Sequence, residues 1–107
     1  MFSTCIYMNE KIIVNVDREL EDLMPLFMET RQRDLEGLVA GLAANDFTAL
    51  RVIGHGMKGS GGAFGFPLIT EMGGLIETSA LLKDRSAVDK QYVKLCDYLA
   101  KVQVNYI

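Results

Sequence analysis

The chain has one histidine, His55, with a lysine three positions on, Lys58, and the run 50–62 around them holds five of the ten glycines. Imidazole is a good nucleophile near neutral pH because much of it is unprotonated. A lysine cannot bind a cation, but it can attract an anion carried by the ring. Two chemistries compete for this stretch. As a loop, Gly54-His55-Gly56-Met57-Lys58-Gly59 fits the G-x-G-x-x-G spacing of a dinucleotide-binding turn, and Glu77, eighteen residues beyond Gly59, lies near the place of its ribose-binding acid. As a helix, it offers an imidazole on an outward ridge.

The loop reading needs a strand before it and a βαβ unit around it. Instead Phe47, Leu50, Gly54, Met57 and Gly61 follow helical spacing, and the flanking segments are helical too. A Walker phosphate loop also fails, because no Gly-Lys-Ser/Thr follows in order. A helix over 46–62 carries its own cost. Each interior glycine costs up to ~1 kcal/mol against alanine, so five cost ~3–5 in a domain stable by ~5–15. Gly54 and Gly61 lie on the core seam, where close packing of a neighbouring helix explains them. Gly56, Gly59 and Gly62 lie off that seam. Gly59 and Gly62 share a face with His55 and Lys58, since positions three, four and seven apart stack along a helix. A ring with almost no side chains beside it suits a partner that must approach closely. A lone histidine is by default a surface or satisfied core residue, but that reading leaves Lys58 and the bare glycines unexplained.

The elements that must position this stretch are helical. Lys11-Ile12-Ile13-Val14-Asn15-Val16 reads as a short extended segment, being rich in β-branched residues. Asp17 caps a short helix or turn whose first turn is acidic. Pro25 ends that turn or opens the next helix, in which Leu35, Leu38, Val39 and Leu42 form the apolar face and Arg31, Arg33, Asp34 and Glu36 take the others. Asp46 can cap the central helix. After a turn at Phe64-Gly65-Phe66-Pro67, the residues Leu68, Met72, Leu75, Ser79 and Leu82 mark one face of a third helix, with Pro67 at its start. Lys83-Asp84-Arg85-Ser86 makes the next turn, with Ser86 a cap. Val88, Tyr92, Leu95, Leu99 and Val102 mark the last helix. The end, 102–106, alternates with period two, which suits pairing with 12–16 as a two-stranded ribbon of the chain ends. The expected fold is all-α, an antiparallel four-helix bundle over 17–102 with an N-terminal extension over 1–16, in one domain.

Composition narrows the function further. With 107 residues there is room for one modest core, and 50% apolar and 23% charged residues suit a globular protein. The net charge of −3 and the scattered basic residues exclude a nucleic-acid footprint. One histidine and two distant cysteines, Cys5 and Cys96, are too few for a metal site, and both thiols are expected reduced in a cytoplasmic protein. No run approaches the ~18 apolar residues of a membrane span, and the N-terminus lacks the features of a signal peptide. Met8 opens an ordinary-looking start, so residues 1–7 read as a dispensable leader.

His55-Gly56-Met57-Lys58-Gly59-Ser60, with Phe64-Gly65 after it and Leu75-Ile76-Glu77 on the next helix, resembles the histidine-containing phosphotransfer (HPt) family. That family's pattern is His-x-x-Lys-Gly on the second long helix of a four-helix bundle, and the resemblance covers roughly 17–102. It departs from the commoner pattern where Gly54 and Gly56 flank the histidine. The resemblance implies that His55 accepts a phosphoryl group from a receiver-domain aspartate, or from a sensor or hybrid histidine kinase, and passes it to another receiver. It implies that Lys58 helps hold the phosphoryl oxygens and that Glu77 hydrogen-bonds the other ring nitrogen and fixes its tautomer. Gly59 would leave room for the partner, with Gly56, Gly62 and Arg51 on the same docking surface. No cofactor or metal is expected in the chain, which would act as a monomeric carrier and not as an enzyme. The alternative is a silent bundle that binds a receiver as an adaptor.

Overall fold

The computed structural model describes residues 11–107, so the leader expected over 1–7 and the thiol of Cys5 lie outside the described residues. Among the described residues the elements run β1 (Ile12–Val16), a 3-10 helix (Arg18–Leu23), α1 (Met24–Ala44), α2 (Phe47–Gly61), a 3-10 turn (Gly62–Phe64), α3 (Pro67–Leu81), α4 (Arg85–Lys101) and β2 (Val102–Tyr106). The central glycine-rich run is therefore the body of a helix, and a phosphate-cradling loop is absent from it.

Local chemistry accounts for most of the boundaries. Carboxylates accept backbone N–H groups that a helix start leaves without partners. Asp17 takes the N–H of Glu19 at 2.9 Å, and Asp46 that of Ala49 at 3.0 Å. Proline sits in the first turn of both α1 and α3, where its missing N–H is not needed. The expected cap at Ser86 is a correction. Asp84 has the non-helical backbone of a cap and accepts the N–H of Ala87 at 3.1 Å, which leaves Ser86 inside the first turn of α4. Asn45 and Lys83 end their helices in the left-handed region, with φ of 52° and 55°.

The chain ends pair as expected, and they do so in parallel, from Ile12 opposite Val102 to Val16 opposite Tyr106. Parallel strands need a long crossover connection. Here the whole set of helices supplies it. Val16 is buried, and Ile12, Val14, Val102, Val104 and Tyr106 pack on the core, while Asn105 donates to Asn15 on the outer face at 3.0 Å.

The core draws on all four helices, with Leu38, Leu50, Met57, Ile76, Val88 and Leu95 wholly buried. Phe27 stacks on Phe64 and Phe66 with ring centroids 4.7 and 5.0 Å apart. Two expected faces need correction. On α3 the inward residues are Ile69, Met72, Gly73, Ile76 and Ala80, whereas Leu68, Leu75 and Leu82 are exposed. That helix is apolar on nearly every side, so hydrophobic spacing fits more than one stripe, and the stripe that lets backbones touch is the one buried. On α1, Val39 is exposed and Arg31, expected outside, is buried. The Arg31 guanidinium reaches inward because it finds partners there. It bonds Asp34 at 2.8 Å and the Ser60 hydroxyl at 2.9 Å, and lies 4.6 Å over the Phe27 ring.

Candidate functional site

The site begins with a seam of glycines. A Cβ on Gly54 would meet the Glu77 amide nitrogen at 2.6 Å, and one on Gly61 would meet the Thr70 nitrogen at 2.6 Å. Only glycine permits that approach, so α2 and α3 lie with their backbones in near contact. The contacts pair residue 54 with 77 and residue 61 with 66 and 70. Gly54 faces α3, and one residue on, His55 turns out into solvent with its side chain 70% exposed.

Closeness of the two helices lets a short acid on α3 reach the ring on α2. His55 Nδ1 lies 2.8 Å from one oxygen of Glu77, and Lys58 Nζ lies 3.0 Å from the other. The Glu77 side chain is only 16% exposed, so the carboxylate sits beneath two outward-facing groups. The hydrogen bond from Lys58, and then the one from His55, holds its carboxyl below the ordinary range. An ionised carboxylate can only accept, so Nδ1 carries the proton and the outer nitrogen, Nε2, takes no part in this pair.

Three of the residues singled out by the sequence thus come together: His55, Lys58 and Glu77. Around them, a Cβ on Gly56 or Gly59 would meet nothing within 4 Å. These two glycines do not serve internal packing. Gly62 is different, since its Cβ would touch the Thr70 hydroxyl at 3.5 Å and its N–H donates to that hydroxyl at 2.6 Å. Arg51 stands one turn before His55, half-buried beside Phe47, Leu81 and Lys83, and takes no part in the hydrogen bonds of His55, Lys58 and Glu77.

Sequence reasoning missed two supports. Thr70 receives the Gly62 N–H and donates to the Lys58 carbonyl at 3.2 Å, bridging the groups that close the last turn of α2. Gly74 leaves space for the lysine stem, since a Cβ there would lie 3.4 Å from Lys58 Cδ. The pair Gly73-Gly74 inside a helical pattern was the available signal, because glycine there is costly without a packing reason. Ser60 donates to the Gly56 carbonyl at 3.0 Å and accepts from Arg31, which ties α1 to the turn carrying His55.

The arrangement is a ridge and not a cleft. A hollow of about 290 Å³ lies elsewhere, between β1, α3 and α4, and neither His55, Lys58 nor Glu77 lines it. Among the described residues no three His, Cys, Asp or Glu side chains gather as metal ligands, and no helix is long and apolar enough to cross a membrane. A small molecule would find few walls at His55, whereas a protein surface could seat the ring against its own reactive group.

Residues 22–104 match the family model described as the Hpt domain, a helical bundle whose members are histidine phosphocarriers of phosphorelays and not stand-alone enzymes. Comparison with curated proteins and with solved structures returned no match.

Proposed function

We propose that this chain, which belongs to the Hpt domain family, carries a phosphoryl group on His55 and exchanges it with an aspartate of a response-regulator receiver domain. The observation that carries this reading is the 2.8 Å bond between His55 Nδ1 and Glu77. It keeps the proton on the inner nitrogen and leaves the lone pair of Nε2 for attack on phosphorus. Phosphoryl transfer needs in-line positioning and charge stabilisation more than covalent help from the protein. Lys58 would neutralise the phosphoryl oxygens, and Glu77 would hold the ring at a constant angle. The bare ridge at Gly56 and Gly59 would let the receiver bring its aspartate within bonding distance. Gly62 and Arg51 would extend the docking surface at its two ends. The receiver would contribute its own acidic pocket and Mg²⁺, so no metal is needed here.

In this reading the chain is one domain over 1–107 acting as a cytoplasmic monomer, with a sensor or hybrid histidine kinase upstream. Its four helices alternate in direction, which the opposed order of contacts between α2 and α3 and the short connections support.

The test is incubation with a phosphorylated receiver or with phosphoramidate. The expected product is an acid-labile, base-stable phosphoprotein, and His55→Gln should abolish it. Label that survives the substitution would overturn the reading. Receiver binding that neither label nor His55→Ala alters would favour an adaptor.

A further inference from the structure

Glu77 is shared. Its two oxygens hold two different groups, the ring of His55 at 2.8 Å and the ammonium of Lys58 at 3.0 Å. In the unphosphorylated protein the lysine that would neutralise a phosphoryl group is therefore already paired with a carboxylate. Lys58 is half-exposed on a long flexible stem and stands one turn from His55 on the same face, so it can swing between the carboxylate and an anion carried on the ring.

We propose that phosphorylation of His55 makes Glu77 change partners: Lys58 leaves the carboxylate for the phosphoryl oxygens, and the charged ring takes its place. The inference rests on His55 being the phosphoryl acceptor. The step balances as follows. The Nε2 lone pair forms the N–P bond while the P–O bond to the donor aspartate breaks, its electron pair leaving with the aspartate carboxylate. The ring keeps its Nδ1 proton and becomes a phospho-imidazolium, so one positive charge appears beside Glu77. A phosphoryl group of charge near −2 attracts Lys58 more strongly than a carboxylate of charge −1 does. Before transfer, Glu77 neutralises Lys58 beside an uncharged ring. Afterwards, Glu77 neutralises the ring and Lys58 about half the charge of the phosphoryl group, so both cations keep an anionic partner at either stage. Glu77 is then a positioning residue that also sets how readily the phosphoryl group is gained and lost, because loading must first break the Lys58 pair.

A double-mutant cycle on the full chain tests this. Glu77→Gln keeps an oxygen to accept the Nδ1 proton but loses the charge that holds Lys58. It also weakens support for the phospho-imidazolium, and that loss is common to proteins with Lys58 and with Lys58→Met. The equilibrium constant for phosphoryl exchange with one receiver is measured for wild type, E77Q, K58M and the double variant, with circular dichroism to confirm folding. The expected result is that E77Q favours the phosphohistidine form at least about threefold more when Lys58 is present than in the K58M background. In parallel, the ¹⁵N signal of the Lys58 ammonium should move on phosphorylation in wild type, and E77Q alone should move it in the free protein. Equal effects of E77Q in both backgrounds, or a lysine signal indifferent to Glu77, would overturn the partner change while leaving His55 as acceptor. Failure of phosphoramidate to label any protein containing His55 would overturn both.

Discussion

Gly54 and Gly73 meet backbone to backbone, and reciprocally: a Cβ added to either would lie 2.7 Å from the carbonyl oxygen of the other. This contact sets the separation of α2 and α3, and the same separation brings the Glu77 carboxylate to the His55 ring. Packing and chemistry share one seam. The residue just after the first glycine carries the imidazole, and the residue four beyond the second carries the acid.

Gly54→Ala and Gly73→Ala should each destabilise the protein by about 1–3 kcal/mol, because the two nearest atoms in the way are backbone and cannot rotate aside. The added methyls would also push α3 outward and lengthen the bond from Glu77 to the ring. Urea unfolding measures the first effect, and the ring ¹⁵N shifts of His55 report the second. Wild-type stability in Gly73→Ala would show that the helices do not lie this close.

Gly56→Ala and Gly59→Ala should behave in the opposite way. Their Cβ positions are open, so only helix propensity changes, and each should stabilise by about 0.5–1 kcal/mol. A large residue distinguishes clearance from packing. Gly59→Trp should leave the urea midpoint near that of wild type while slowing phosphoryl exchange with a receiver at least tenfold. A collapse in stability would place Gly59 inside the structure instead.

The central seam was legible in the sequence because Leu50, Gly54, Met57 and Gly61 follow one helical stripe and all four are buried. The trio at the site was legible through the spacing of His55 and Lys58 and the resemblance that pointed to Glu77. What escaped depended on contacts distant in sequence. Hydrophobic spacing gives glycine no weight, so the α3 face through Gly73 lost to the more visible leucines 68, 75 and 82. Arg31 looked like a surface residue because its partner Ser60 lies 29 positions away. The bond from Lys58 to Glu77 was equally hidden, since an unpaired lysine and a paired one look alike in a sequence.

The acid limb of stability should carry the signature of Glu77. Its folded-state pKa lies below the ordinary 4.5, so its contribution is complete above that value and is lost as pH falls from there through the lowered folded value. Glu77→Gln has no carboxylate to protonate. The stability difference between wild type and Glu77→Gln should therefore shrink on acidification below about pH 4.5. Urea midpoints between about pH 3 and pH 7 follow it. A difference that stays constant through the acid range would mean that the carboxylate is not paired.

Thr70→Val isolates the support beneath Lys58. Valine keeps the branched shape and removes the hydroxyl that bridges the Gly62 N–H and the Lys58 carbonyl. Solvent can reach these groups, so the expected loss is about 1 kcal/mol and not the larger penalty of a sealed site. The effect should be local. Amide exchange at Gly62 should accelerate while that of Leu50, at the buried start of the same helix, keeps its protection relative to global unfolding. Because Lys58 sits on the loosened turn, its ammonium should spend less time on Glu77, and the carboxyl pKa should rise toward its ordinary value. Unchanged exchange at Gly62 would show that the helix closes this turn without Thr70.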